Sequence, residues 1–263
     1  AEEWGVADSN FDWSAGAYEQ VFTAHPEWVG RVIADLNFEL PALAHGTRAR
    51  IRSCYEYVDY LNEWLEDLPN LTQAYPEETK VTAPIETWSD DFSMAIAGIP
   101  SMVNDFSAGE FMETHYHSQY DNENFYQEPV YRFHHEMYAG LVLAFDRTAA
   151  VPMNFAKLFE GAAASIDGSV CRGADADLPG LHLVLKQGIQ AGEALYSKIR
   201  EINRAYGRLL DRGEEEKAFL LAAGCRSLNR ELLRIFKKEQ DYFVRLSWHD
   251  DVLFPQQAVQ ENV

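Results

Sequence analysis

The sequence predicts an α/β fold over residues 1–150 and an all-helical segment over residues 151–263. Residues 1–150 alternate short strand-like and helical segments, as α/β domains do. After Pro152, apolar residues recur at helical spacing almost to the end of the chain. The two longest helical segments are separated only by Asp211, Arg212 and Gly213, and so short a turn favours antiparallel neighbours.

Periodicity and helix breakers predict the individual elements. Residues 31–35 are predicted to form a buried strand that ends at Asp35. Residues 50–68 are predicted to form a helix that ends before Pro69. A strand is expected at residues 80–87, and a turn at Gly98 and Pro100 leads into another. Helices are predicted at residues 125–148, 153–166, 181–210 and 214–242.

Composition narrows the classes of partner. The 263 residues carry 22 Lys and Arg against 42 Asp and Glu, a formal net charge of −20. Nucleic acid and anionic membrane surfaces are disfavoured as partners, because phosphate binding needs clustered cations. No apolar run reaches the ~18 residues of a membrane span. Cys54, Cys171 and Cys225 are dispersed, so they predict neither a thiolate zinc site nor a disulfide framework, and they leave the compartment open.

Two acidic groups are candidates for metal chemistry. Glu2 and Glu3 are adjacent, so one carboxylate can bind a metal ion while the other faces a reacting water; the alternative is a solvated acidic terminus. Asp35 follows a predicted strand, and ligands of open α/β sheets collect outside the carboxyl ends of strands. A turn or cap role is the alternative for Asp35.

Two further short motifs contain polar residues that could bind a ligand or a metal ion. Ser89 and Asp90 precede an apolar run, so either can cap a helix and also face a ligand. His115 and His117 form a His-x-His pair, and imidazole is a favoured zinc ligand. Ser118 or Asp121 can orient a metal-bound His117, whereas the alternative is a polar surface loop.

The order of these motifs resembles that of the two-zinc aminopeptidase and carboxypeptidase family. It runs from Ala-Glu-Glu-Trp-Gly at residues 1–5, through Ala-Asp, Ser-Asp and Gly-Ile-Pro, to Tyr-His-Ser-x-x-Asp at residues 116–121. The helical remainder is similar to the dimerisation domain of the transferrin-receptor-like branch. The resemblance implies that residues 1–150 are the C-terminal part of a zinc-peptidase domain and residues 151–263 a helical dimerisation-like domain that forms a homodimer.

The resemblance also implies a role for each matched residue. Glu2 corresponds to the general base, and Tyr116 to a tyrosine that holds the reacting carbonyl oxygen. Glu3 and His117 correspond to the ligands of one zinc ion, and Asp35 to a ligand of the other. Ser89 and Asp90 correspond to a loop on the substrate side. A metal-bridged water would attack the peptide bond, with two zinc ions as cofactors.

The implied enzyme is a zinc-dependent exopeptidase of the aminopeptidase, carboxypeptidase or dipeptidase type. The family's His-x-Asp motif, which supplies the first zinc ligand and the bridging carboxylate, is expected on an upstream segment or companion chain cleaved from a longer precursor. Glutamate-selective members of the family carry a Lys-Tyr pair in a C-terminal loop, and the corresponding residues 247–255 contain no Lys, so the resemblance disfavours glutamate-type specificity. The alternatives are a non-catalytic receptor-like or scaffold homologue and a purely structural helical module.

Overall fold

The computed structural model describes residues 15–39, 47–66, 74–86, 89–105, 110–116, 118–169, 177–247 and 259–262. Glu2, Glu3 and His117 lie outside these ranges. No helix in the described part of the chain is long and apolar enough to cross a membrane.

A four-stranded mixed sheet forms the first part of the fold. Its strands are β1 (Asp35–Asn37), β2 (Arg48–Ser53), β3 (Glu78–Thr82) and β4 (Ser101–Asp105), in the spatial order β1-β4-β2-β3. The pairs β1–β4 and β2–β3 are parallel, and β2–β4 is antiparallel. A mixed sheet with helices packed on it is α/β in class, as predicted.

Strand β1 begins at Asp35, so the prediction that a strand ends there was wrong. The pairing with β4 explains the difference. The Asp35 amide donates to the Pro100 carbonyl at 2.8 Å, and the strand register then starts with Asp35 opposite Ser101. Residues upstream of Asp35 have no partner in this ladder, because β4 itself starts only after the turn through Gly98 and Pro100.

The prediction of one helix over residues 50–68 was also wrong. Residues Arg48–Ser53 form β2, a 3₁₀ turn follows at Tyr55–Tyr57, and helix α2 covers only Val58–Glu66. From position 49 to 53 of β2, fully buried residues alternate with partly buried ones, which is the period of two expected for a strand. Ile51 fits a helical period and a strand period equally well, so its apolar character alone did not separate the two.

The four helices predicted after residue 124 are all present, whereas two short helices earlier in the chain were not predicted. Short α1 (Ala15–Glu19) continues into a π-helical turn, and α3 (Asp90–Ala97) packs on β1 and β4. The others, in chain order, are α4 (Glu110–Thr114), α5 (Glu128–Asp146), α6 (Ala156–Ala164), α7 (Leu178–Asp211) and α8 (Glu215–Phe243). A two-stranded antiparallel ribbon of β5 (Val244–Ser247) and β6 (Val259–Asn262) follows α8 and was not predicted.

Helices α7 and α8 pack against each other around the predicted short turn. Gly213 has φ +69°, a left-handed conformation that glycine adopts without strain. Its amide donates to the Leu210 carbonyl at 2.9 Å, and the Glu214 amide donates to the Leu209 carbonyl at 2.9 Å. These bonds satisfy carbonyls at the end of α7 and turn the chain back.

Two asparagines join these helices to the segment that links α5 to α6. The Asn203 side-chain oxygen accepts from the amides of Ala149 and Ala150 at 3.0 and 2.8 Å, and its nitrogen donates to the Ala150 carbonyl at 2.8 Å. Asn229 accepts from the Val151 amide at 3.0 Å and donates to the Ala149 carbonyl at 2.9 Å. Buried backbone groups at 149–151 are thereby paired without a strand or helix.

One hydrophobic core includes residues from both sides of position 150. It contains fully buried side chains from the sheet, from α2 and α5, and from α7 and α8, among them Ile51, Leu61, Met102, Met137, Ile199 and Phe236. The predicted boundary between residues 150 and 151 therefore falls at a segment that is itself buried.

Helices α6 and α7 approach each other closely at Gly192. A Cβ atom added there would lie 2.3 Å from the backbone nitrogen of Ala156. Gly224 in α8 is exposed, and a Cβ atom added there would meet nothing within 4 Å. Close packing of α6 on α7 therefore explains the glycine at position 192, whereas no neighbouring atom requires a glycine at position 224.

We expect Gly192→Ala to lower the free energy of unfolding by about 3 kcal/mol, because backbone atoms of α6 must move away from α7. Gly224→Ala should raise it by about 0.8–1 kcal/mol, since alanine has the higher helix propensity. Urea unfolding followed by circular dichroism measures both. A Gly192→Ala variant as stable as the wild type would contradict the close packing of α6 on α7.

Candidate functional site

A cavity of about 430 Å³ lies where the start of β1 meets α1 and the start of α3. The described residues that line it are Gly16, Ala17, Gln20, Asp35, Asn37, Asp90 and Met94. Small side chains of α1 leave room on one side, and three polar residues, Asp35, Asn37 and Asp90, face it from the other. The cavity therefore presents side-chain oxygens on two elements that are distant in sequence.

Strand geometry brings Asp35 and Asn37 to one side of β1. Side chains two residues apart in a strand point the same way, so Asp35 and Asn37 share a face. The Asn37 amide nitrogen donates to a Glu39 carboxylate oxygen at 2.8 Å. The backbone of Glu39 is held by Asn104, whose side chain accepts from the Glu39 amide and donates to the Glu39 carbonyl, both at 2.7 Å. These bonds fix the course of the chain just after β1.

Helix α3 supplies the second wall. Ser89 is its N-cap residue, as predicted, but the Ser89 side chain makes no capping hydrogen bond. Asp90 and Asp91 occupy the first turn, where the helix dipole favours negative charge. The helix ends at Gly98, whose φ of +106° suits a glycine C-cap. The C-cap lies against the Lys237 side chain of α8, which restrains the C-terminal end of α3.

Burial and mutual repulsion dominate the electrostatics of these carboxyl groups. Burial, together with the negative charge of Asp90, raises the pKa of Asp35 to about 7, although Ser101 opposes the rise. Burial raises the pKa of Asp91 to about 7 as well, with Ser89 opposing and the charges of Asp35 and Glu39 contributing. Two neighbouring carboxyl groups thus titrate near neutrality, a feature common at functional sites.

Such an arrangement can hold a proton or a divalent cation. Carboxylate and amide oxygens suit hard or borderline divalent ions, and a pKa near 7 suits a general base. Within the described ranges, no three His, Cys, Asp or Glu residues are grouped closely enough to hold a metal ion. The described residues of this cavity therefore do not by themselves make up a complete ligand set for a zinc ion.

The structure brings together two of the predicted site residues, Asp35 and Asp90, in this cavity. Ser89 is buried at the same end of α3, beside Asp91 rather than on the described cavity wall. Tyr116 is half-buried in the turn after α4 and is not among the described residues that line the cavity. The predictions for Glu2, Glu3 and His117 fall outside the described residues.

Sequence reasoning missed Asn37 and Asp91. Asn37 had a detectable signal, because a residue two positions after a candidate ligand on a strand shares its face. Asp91 had none, since its neighbour Asp90 is equally acidic and only tertiary packing decides which carboxyl is buried. Asp91 is completely buried, whereas Asp90 is half-buried and reaches the cavity.

We expect Asp91→Asn to stabilise the protein at pH 8 and to have little effect at pH 4. The folded-state pKa of Asp91 is raised from 3.8 to about 7, so the wild type loses stability as pH rises between these values and is most penalised above them. The gain should be on the order of 3 kcal/mol. Urea unfolding between pH 4 and 8 measures it.

Asp146→Asn, at an exposed position of α5, is the matched control and should give no comparable stabilisation at pH 8. An Asp91→Asn variant whose stability follows the wild-type pH profile would show that Asp91 is not a buried titrating group.

The chain has no significant match to a protein-family model, a curated protein or a solved structure.

Proposed function

We propose that the chain is part of a zinc-dependent exopeptidase that hydrolyses a terminal peptide bond. The observation that carries the proposal is the position of Asp35. Its carboxyl group lines an open cavity beside Asp90, and it is the residue that corresponds by resemblance to a zinc ligand. The order of the acidic and histidine motifs along the sequence supports the same conclusion.

The electrostatics of the cavity support a bound cation. Asp90 raises the pKa of Asp35, so its negative charge disfavours the ionised form of Asp35. A divalent cation between or beside them would reverse this effect, because an adjacent positive charge favours ionisation. The same cavity would then hold Asp35 as a carboxylate at neutral pH, as metal ligation requires.

The chain's own residues would perform distinct steps. Glu3 and His117 would hold one zinc ion and Asp35 the other, and bound zinc would polarise the peptide carbonyl and acidify water. Glu2 would accept a proton from the attacking water and pass it to the leaving amine. Tyr116 would donate a hydrogen bond to the carbonyl oxygen as negative charge develops there.

The proposal includes two partners. An upstream segment or companion chain would supply the remaining His-x-Asp ligands. A second copy of the chain would pair through α7 and α8, where Leu183, Val184, Phe219 and Leu220 are about 60% exposed (57–63%). General aminopeptidase or dipeptidase activity fits at least as well as glutamate selectivity, because residues 247–255 lack the Lys that glutamate-selective members of the family carry in this loop.

To test the proposal, the chain is co-expressed with the upstream segment and purified without chelators. Its metal content and its rate of peptide hydrolysis are then measured. Two zinc ions per chain and hydrolysis of unblocked dipeptides are expected. Glu2→Gln should lower kcat by about 10²–10⁴-fold with zinc retained, because it removes the base but no ligand. His117→Ala should lose zinc as well as activity.

Glu123→Gln, an exposed residue after α4, is the control and should keep both zinc and activity. Full hydrolysis by Glu2→Gln would overturn the mechanism. Absence of zinc from the complete assembly would overturn the peptidase assignment and favour a receptor-like or scaffold protein with a protein partner.

A further inference from the structure

A second cavity of about 360 Å³ lies between α2, the end of α5 and the middle of α7. It shares no residue with the cavity beside Asp35. Its walls combine aromatic rings from α2 and α7 with three arginines, Arg147, Arg200 and Arg204, and a single carboxylate, Glu63. In a chain with a net charge of −20, this is a local concentration of positive charge.

The arginines converge because of helix periodicity and one long-range contact. Arg200 and Arg204 are four residues apart on α7, so they lie on the same face. Arg147 comes from the end of α5 and pairs with Asp211 near the end of α7 at 2.5 Å. A Cβ atom added at Gly207 would lie 3.9 Å from Nη2 of Arg147, so this guanidinium lies over Gly207, next along the same face.

The three guanidinium groups are not equally neutralised. Arg147 pairs with Asp211, and Nε of Arg200 lies 3.2 Å from Glu63, with both pairs partly exposed and therefore weak. No carboxylate of the described residues lies within ion-pair distance of Arg204. Arg204 is thus available to an external anion, and a guanidinium binds a carboxylate through two parallel hydrogen bonds.

The rest of the wall is apolar and aromatic. Tyr196 is 4% exposed and Ile199 is 1% exposed, and the Arg200 guanidinium lies 5.8 Å from the centre of the Tyr196 ring. Tyr60 and Trp64 of α2 are partly buried against the core and face the same space. Rings held in this way offer flat apolar surfaces to a ligand at little cost in side-chain entropy.

We propose that this cavity binds a small organic carboxylate with an apolar body. The carboxylate would contact Arg204, and the apolar part would lie against Tyr60 and Trp64. A cavity of about 150 Å³ accommodates one benzene ring, so about 360 Å³ accommodates a single ring with a short acidic chain. Inorganic phosphate would reach the arginines but would leave the aromatic walls uncovered, so it binds more weakly.

The test is isothermal titration calorimetry of 3-phenylpropionate into the full chain. Saturable binding with one site per chain is expected, with at least about tenfold weaker binding of the neutral 3-phenylpropionamide and of inorganic phosphate. Arg204→Gln should weaken binding by at least about tenfold. Arg208→Gln is the matched control, because Arg208 is exposed on the same helix and does not line the cavity.

A second variant fills the cavity without removing charge. Gly207→Leu should abolish binding, since its side chain would occupy the space below Arg147, while the helical position tolerates leucine. Prior treatment with a chelator should leave binding unchanged, which separates this site from the proposed zinc site.

No saturable binding up to millimolar concentration would overturn the proposal. Equal weakening by Arg204→Gln and Arg208→Gln, or phosphate binding as tight as that of 3-phenylpropionate, would overturn it as well. Titration of a peptide with a free C-terminal phenylalanine, and of the same peptide as its C-terminal amide, shows whether the bound carboxylate can be that of a chain terminus. If neither peptide binds, the ligands are free small acids.

Discussion

The hydrogen bonds of Asn203 and Asn229 to residues 149–151 are the constraint on which much of the structure depends. Each such bond contributes only about 1 kcal/mol net, but losing one partner would leave buried backbone groups unpaired at a cost of about 1–3 kcal/mol each. The five bonds set the position of α7 and α8 relative to the end of α5. The shared hydrophobic core then forms between the sheet and the long helices.

Both cavities follow from this arrangement. Because Asn203 is held at Ala149 and Ala150, the adjacent turn of α7 carries Arg200 and Arg204 to the side of α2. In addition, α8 packs on α3 near Gly98, and α3 in turn positions Asp90 beside Asp35. The helical part is therefore structurally coupled to the carboxylates of β1 and α3.

Those carboxylates are costly to the folded state. Asp35 and Asp91 have pKa values raised to about 7, so their ionisation at neutral pH opposes folding. The carboxyl groups of Glu56 and Glu239 add to the same penalty, because burial raises the pKa of both and Glu56 further raises that of Glu239. Buried carboxyls that a ligand or cation could neutralise are a common compromise between stability and function.

The sequence alone determined the α/β class, the long amphipathic helices and the short turn at Gly213, because periodicity and turn chemistry are local properties. It also singled out Asp35 and Asp90 as candidate site residues, although it placed Asp35 at the end of a strand and not at its start. It could not assign β2, where Ile51 satisfies two periods, nor the start of β1, which depends on its pairing with Ser101. Only the tertiary structure decided that Asp91 is buried, that Asn37 joins the cavity and that three arginines from α5 and α7 converge, because these outcomes depend on contacts between residues far apart in the chain.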